Sequence, residues 1–460
     1  MTATPAAPPA AEPRFRRVLV ANRGAVAMRV IRALRSLGIG AVAVHSDADA
    51  GAPWAEAADA ARRIGPAPAR ESYLDQDGLI AAAIAEGCDA VHPGYGFLSE
   101  NAGFARRVRA AGLAFIGPDP RWIEAMGEKT QARALMAAHG MPVAPGSPPL
   151  GPDPDEAAAA AAAIGYPVLV KPASGGGGIG MVAAKDRAAL LQAVERARSA
   201  AARSFGEATI YLEKLLERPR HVEIQLLGDR HGAVRHLFER DCSLQRRHQK
   251  VIEEAPAPGL RREVIDGLAG RTAAMLAALG YDNIGTVEML MGADGGFAFL
   301  EMNTRLQVEH AVTEMVLGLD LVAAQIRAAA GVPLSAILPD GLAPRGHAME
   351  ARIYAEDPRT FFPSPGTLAR FRLPAGTPAL RIETGYREGM TVTPHYDPLL
   401  AKVIAHGGDR AAAIALLADA LSACEVEGLK TNIPFLLRAL VDPRFAAGEV
   451  HTGLAAELQG

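Results

Sequence analysis

The sequence predicts a chain of mixed α/β and α+β class: an N-terminal open parallel α/β domain, a central unit built around a small glycine-bearing element, and a β-rich C-terminal domain. Three observations predict it. A β-branched run at 17–21 is followed by Val26, Val30, Leu34 and Leu37 at helical spacing and by an apolar run at 41–45, which is a βαβ unit. The Pro/Gly-rich stretch MPVAPGSPPLGPDPD at 141–155 reads as a hinge before a new unit. Strand-like segments then dominate from about residue 345, and 460 residues at roughly 150 per domain leave room for about three domains.

Taken in order, residues 1–13 are Ala/Pro-rich, with no basic start and no Leu/Val core, and are expected to be a disordered tail rather than a secretory signal; Glu12 argues against a transit peptide. After the βαβ unit, 79–84 reads as helix, 90–92 as the end of a strand and 113–116 as another strand, so an open parallel sheet is expected up to about residue 120. Its first turn, Asn22-Arg23-Gly24, lacks GxGxxG, whereas the loop His92-Pro93-Gly94-Tyr95-Gly96 lies past a strand's carboxyl end, where such sheets place ligands. Beyond the hinge come an Ala-rich helix, a strand at 167–171, a glycine loop at 174–180, a helix at 190–201 and a strand at 209–213. Strands and helices continue through 222–227, 264–279 and 285–290. The segments 347–354, 366–373 and 399–405 suggest a β-rich domain closed by a helix at 411–423.

Composition excludes several classes of function. With 48 basic and 51 acidic side chains the net charge is −3, which provides no global field for nucleic acid or anionic lipid. Cys88, Cys242 and Cys424 stand far apart with no CxxC pair, which fits neither a disulfide framework nor a zinc cage and points to a reducing, cytoplasmic setting. The longest apolar run, 157–164, is far short of the roughly 20 residues of a membrane span.

The chemistry concentrates in a few segments. In Glu301-Met302-Asn303-Thr304-Arg305-Leu306-Gln307-Val308-Glu309 a polar group falls on every second residue, so an extended chain would gather two carboxylates, two amides and a guanidinium on one face. Such a set suits a divalent cation beside a small anion; the alternative is the solvated face of an edge strand. Phe297, Phe299 and Leu300 lead into it from an apolar run, which favours the functional reading. A hairpin turning at 292–296 would bring Glu288 near Glu301, and paired carboxylates require a cation or a proton between them, unless Glu288 is simply a buried partner of an arginine. The run 174–180 (SGGGGIG) follows a strand and would wrap backbone N–H groups round an anion, or serve only as a flexible loop. No GK[ST] occurs, which excludes a Walker A loop. Lys129 and Lys171 would add point charges for phosphates, although each in isolation reads as a surface lysine. The segment 239–250 (ERDCSLQRRHQK) gathers cations without aromatics, which ranks small anions above nucleic acid as its target, the alternative being a basic surface patch.

Together, ANRG (21–24), HPGYGFLSEN (92–101), the four-glycine run, RHVEIQ (220–225), ERDCSLQRRHQK (239–250), EMNTRLQVEH (301–310) and ARIYAEDP (351–358) resemble the biotin carboxylases, a family of ATP-grasp enzymes, over about residues 15–450. The resemblance implies a pre-ATP-grasp domain at 14–127, an ATP-grasp domain at 128–335 with a small mobile lid at about 143–215, and a C-terminal domain at 345–455. It implies that Lys129 and Lys171 meet ATP phosphates beneath a lid containing Gly176, Gly177 and Gly178. Glu213, Lys214 and Leu215 would border the adenine, with His221, Gln245 and His248 on the ribose side. Glu288, Glu301 and Asn303 would carry Mg²⁺ or Mn²⁺. Arg305, Gln307 and the Val308 backbone would clamp bicarbonate, Glu309 would be the general base, Lys250 would support the transferring phosphoryl group, and Arg352 would stabilise the biotin enolate.

The chain departs from the family at Ala25, Ile179 and Val182, where Glu, a basic residue and Arg are usual, which bears on lid contacts and rate. It has no Ala-Met-Lys-Met biotinylation site. A separate biotin carboxyl carrier protein and a carboxyltransferase subunit are therefore expected, and the resemblance alone implies a homodimer. Competing expectations are an ATP-grasp ligase with another acceptor and a nucleotide-binding subunit of low activity.

Overall fold

The computed structural model of the chain describes residues 15–173, 180–205 and 208–459. The expected tail at 1–13 and the lid residues Gly176, Gly177, Gly178 and Ile179 lie outside them. The first sheet is five-stranded and parallel, in the order Ala60–Gly65, Gly40–Ser46, Arg17–Val20, Ala90–His92, Ala114–Phe115. It is the open α/β sheet that the βαβ pattern predicts. Its outer strand Ala60–Gly65 escapes sequence reading because Arg62 and Arg63 are exposed at a charged edge, with no apolar run to mark it. Helices begin where caps allow: Asp75 accepts from the N–H groups of Asp77 and Gly78 to start Gln76–Ala85, and Asn101 accepts from Phe104 to start Ala102–Ala110.

Within the Pro/Gly-rich stretch, helix Pro154–Ile164 starts on an Asp153 cap with Pro154 in its first turn and stops at Gly165, whose φ of 82° suits glycine. It packs with helix Arg187–Phe205 on a three-stranded antiparallel sheet in the order Val182–Ala184, Val168–Pro172, Ile210–Lys214. The core of this small unit draws its residues from 150–212, so it closes on itself.

The rest of the chain is organised on one eight-stranded antiparallel sheet, in the order Phe297–Asn303, Asn283–Met291, Arg220–Gly228, Val234–Arg246, Gln249–Ala255, His347–Tyr354, Leu399–Gly407, Leu380–Thr384. The expected β-rich C-terminal domain is present. Its major strands extend the central sheet, because Gln249–Ala255 pairs directly with His347–Tyr354. The expected closing helix is present as Arg410–Ser422, packed on strand Leu399–Gly407. On strand His347–Tyr354, Met349, Ala351 and Ile353 face that apolar core, while Glu350 and Arg352 alternate to the opposite face.

A buried ion-pair network joins the N-terminal sheet's first helix, Gly24–Ser36, to this framework. Arg29 lies 2.6 Å from Glu314, whose other oxygen is 2.5 Å from Arg381 on strand Leu380–Thr384. Burial alone would push the Glu314 carboxyl up, but Arg29, His310 and Arg381 outweigh it and hold it at about 2. A folded-state value below the ordinary 4.5 contributes stability that is complete above 4.5 and is lost as pH falls towards 2. Glu314→Gln should therefore lower stability against urea at pH 7, with the gap to the unmodified chain closing across that window. A constant gap would mean that the charge is not what matters. Among the described residues no helix is long and apolar enough to cross a membrane.

Candidate active site

The strands Asn283–Met291 and Phe297–Asn303 form the expected hairpin, and its register puts Glu288 directly opposite Glu301. Leu300 is the extra residue of a bulge just beside this pair. The strand then ends at Asn303, which corrects the expectation of an extended segment through Glu309. Glu100, from the N-terminal domain, accepts from the Thr304 N–H at 3.1 Å and from Arg305 at 2.7 Å, and these bonds draw the chain out of the ladder. Residues 304–308 curl as a loop, and Glu309 stands at the start of helix His310–Leu317. The alternation of polar residues is therefore not a pleat, yet the loop still returns them to one place.

That place is a cavity of about 410 Å³ lined from both the three-stranded and the eight-stranded sheets. Its walls are apolar at Leu169, Met181, Leu215, Leu290 and Phe299. Lys129, Lys171, Glu213, Lys214, His221, Gln245, His248, Lys250, Glu288, Glu301, Asn303, Arg305, Gln307, Val308, Glu309 and Arg352 also line it.

Within the cavity the charges are paired. Lys171 is 2.7 Å from Glu213, which also meets Arg133 at 3.2 Å, so the Glu213 carboxylate is held by two cations. Lys214 turns its ammonium to the carbonyls of Gly165 and Tyr166, leaving the rest of the residue to face the cavity. Lys129 is 3.6 Å from Glu301. Lys250 sits at the junction of three carboxylates, 2.6 Å from Glu223, 2.8 Å from Glu288 and 2.6 Å from Glu309. Arg352 reaches the other oxygen of Glu309 at 3.0 Å and Glu253 at 2.5 Å. Burial would raise the Glu309 carboxyl, but Lys250, Arg352 and Arg240 outweigh it and hold it well below the usual range. The same competition, won by Lys250 and His221, leaves Glu288 ionised.

Arg305 donates to the side-chain oxygens of Gln307 and Asn303 at 3.0 and 2.8 Å. The Asn303 and Gln307 amides donate in turn to Glu288 at 2.9 and 3.1 Å. His221 lies 3.1 Å from the second Glu288 oxygen, and its Nδ1 is 2.9 Å from the Gln245 amide nitrogen.

The basic segment 239–250 is not a surface patch. Arg240 is fully buried against Glu223, Gln225 and Thr313, and Arg246 is buried against Glu356. Between strands Val234–Arg246 and Gln249–Ala255, Arg247 and His248 form a two-residue turn with φ of 48° and 66°. Non-glycine residues there cost on the order of 1–3 kcal/mol each. The turn brings His248 and Lys250 to the cavity, and sequence reading passed over it because Arg-His is not a glycine-type turn signal.

Other contributors were carried inside the motifs but not singled out. Tyr354 lines the cavity from ARIYAEDP, Glu100 holds Arg305 from HPGYGFLSEN, and Glu223 holds Lys250 from RHVEIQ. Asp397 also lines the cavity and has no such signal.

Glu288 and Glu301 face each other across adjacent strands as a carboxylate pair of the kind a hard divalent ion takes, whereas the Asn303 amide turns its nitrogen to Glu288 and its oxygen to Arg305. The His221, Glu223 and Glu288 cluster also brings ligand atoms close together, but Arg240 and Lys250 already neutralise Glu223.

Comparison with known proteins bears on the family and the fold. Residues 14–123 match the family described as "Biotin carboxylase, N-terminal domain", 128–337 "Carbamoyl-phosphate synthase L chain, ATP binding domain" and 350–457 "Biotin carboxylase C-terminal domain". The chain is 50% identical over 440 residues to Biotin carboxylase 2 of Bacillus subtilis, covering 95% of this chain and 98% of that one. It is 49% identical to the mitochondrial methylcrotonoyl-CoA carboxylase subunit alpha of Oryza sativa, covering 95% of this chain but 59% of that longer one. The biotin carboxylase domain dimer of Hydrogenobacter thermophilus 2-oxoglutarate carboxylase, solved with MgADP, ADP and bicarbonate, superposes with a TM-score of 0.93 at 40% identity, covering 97% of this chain and 99% of that one. Three consecutive family matches, half the residues shared with a full-length relative and a common three-domain fold lead to one conclusion: the chain belongs to the biotin carboxylase family.

Proposed function

We propose that the chain carboxylates biotin presented by a separate carrier protein, using ATP and bicarbonate, and that the cavity residues divide the reaction between them. The observation that carries this reading is the convergence of the Glu288–Glu301 pair and the Arg305–Glu309 loop on one cavity. Lys129 and Lys171 would meet the ATP phosphates, with the adenine against Leu215 and the backbone of Glu213 and Lys214. His221, Gln245 and His248 would lie on the ribose side. Glu288, Glu301 and Asn303 would hold Mg²⁺ or Mn²⁺, which when bound neutralises phosphate charge.

Arg305, Gln307 and the Val308 backbone would bind bicarbonate beside Glu309, which is ionised and so ready to accept its proton. As the anionic substrates draw Lys250 and Arg352 towards themselves, those cations are shared and Glu309 becomes a stronger base. The deprotonated bicarbonate attacks the γ-phosphorus, ADP leaves, and Lys250 supports the phosphoryl group in flight. The carboxyphosphate so formed releases CO₂ and phosphate; the phosphate takes the N1′ proton of biotin, Arg352 stabilises the enolate that results, and N1′ attacks the CO₂.

The partners would be a biotin carboxyl carrier protein and a carboxyltransferase subunit, with the chain acting as a homodimer. The three cysteines are free thiols, in keeping with a cytoplasmic setting. The test is phosphate release from ATP and Mg²⁺ with and without bicarbonate and free biotin. Release that requires bicarbonate and rises with biotin is expected. Hydrolysis that needs another nucleophile would assign a different acceptor, and ATP binding without release would make the chain a nucleotide-binding subunit.

A further inference from the structure

The loop carrying Arg305, Gln307 and Glu309 has left the sheet, so its backbone needs anchors other than a strand ladder. Two have local or motif origins: Glu100 takes the Thr304 N–H, and the Gln307 carbonyl is 2.7 Å from His310 Nδ1. The third comes from far along the chain. The Val308 carbonyl accepts a hydrogen bond from the ammonium of Lys402, on strand Leu399–Gly407. Lys402 is fully buried and is not among the residues lining the cavity.

We propose that Lys402 is a positioning residue for the bicarbonate step, fixing the peptide plane from which the Glu309 side chain departs. The inference rests on reading residues 305–309 as the bicarbonate site. The Val308 carbonyl and the Glu309 N–H belong to one rigid peptide unit, so holding the first orients the second. Lys402 stands directly opposite Arg352 on the neighbouring strand, and opposed residues share a sheet face. Arg352 therefore holds Glu309 by its carboxylate while Lys402 holds the backbone behind it, and both cations stand on one rung of the sheet. Two like charges so placed need carboxylates around them. Glu383 lies 2.9 Å and Glu350 3.4 Å from the Lys402 ammonium, and Glu253 lies beside Arg352. The Val308 carbonyl and a Glu350 oxygen accept from the Lys402 ammonium, and Glu383 pairs with it as the nearer carboxylate, which is how a cation persists in the core.

A purely structural role would make Lys402 only the counter-ion of Glu350 and Glu383. Lys402→Met, alone and combined with Glu383→Gln to remove a carboxylate that has lost one cation while keeping Arg381 and Arg29, separates the two roles. The readouts are thermal midpoint, KM for ATP and KM for bicarbonate in ATP cleavage. KM for bicarbonate is expected to rise about tenfold or more in both variants, with KM for ATP within about twofold, because a misplaced clamp loses the small anion first. The double variant should recover part of the thermal midpoint without recovering bicarbonate affinity. An unchanged bicarbonate KM in the single variant, or one restored together with the midpoint, would overturn the proposal. So would failure of both variants to fold, which would assign Lys402 to the fold alone. If the unmodified chain itself cleaved ATP without regard to bicarbonate, the reading of the loop would fail, whatever Lys402 does.

Discussion

Glu309→Gln should lower bicarbonate-dependent ATP cleavage by about 10²- to 10⁴-fold, the usual contribution of a general base, while ATP binding stays within about twofold. The substitution preserves the shape of the side chain and removes its proton affinity. Glu309 is fully buried between Lys250 at 2.6 Å and Arg352 at 3.0 Å, so the neutral amide also leaves two cations short of a partner. Those cations then face bicarbonate more strongly, so binding of the anion should be retained or tightened while turnover falls. A kcat that falls while KM for bicarbonate is unchanged or lower is the signature of a lost proton acceptor rather than a lost binding group. Steady-state kinetics in bicarbonate, with nucleotide binding measured by calorimetry, would check it. Turnover within threefold of the unmodified chain would remove Glu309 from the role.

Lys250→Met is expected to damage both stability and catalysis. Breaking a buried ion pair by removing one partner typically costs about 3–5 kcal/mol, because the charge left behind has no water to return to. Here three carboxylates meet one ammonium. Glu223 retains Arg240 and Glu309 retains Arg352, whereas Glu288 is left with the amide donors and His221. Burial already pushes the Glu288 and Glu309 carboxyls up, and Lys250 is the largest of the opposing influences on both. Without it both values rise, so the acid side of the pH–rate profile should move to higher pH and kcat should fall. Adding Glu288→Gln should recover part of the stability but not the rate. A pH profile that does not move would contradict the electrostatic account.

How much of the site could be read in the sequence depended on distance along the chain. Glu301, Asn303, Arg305, Gln307 and Glu309 fall within nine residues, and Glu288 is joined to them by a short glycine-bearing turn, so one hairpin and one loop bring the group together. Their mode of assembly was not legible. The alternation of polar residues suggested a strand through Glu309, but Glu100, some two hundred positions earlier, takes up the loop's N–H and guanidinium and ends the ladder at Asn303. The cations of 239–250 read as a site for small anions, with an exposed patch as the alternative, and their burial was not legible because their carboxylate partners, Glu223 and Glu356, lie on other segments.

By itself the sequence determined the parallel βαβ start and the carboxylate hairpin, because periodicity and turn chemistry act between near neighbours, whereas most of the groups that line the cavity were named only through the family resemblance. Only the tertiary structure decided that the C-terminal strands extend the central sheet, that Lys250 joins three carboxylates, and that Lys402 lies behind Glu309. Each of these depends on pairing between strands far apart in the chain, and one segment's polar pattern does not specify which distant segment will neutralise it once both are buried.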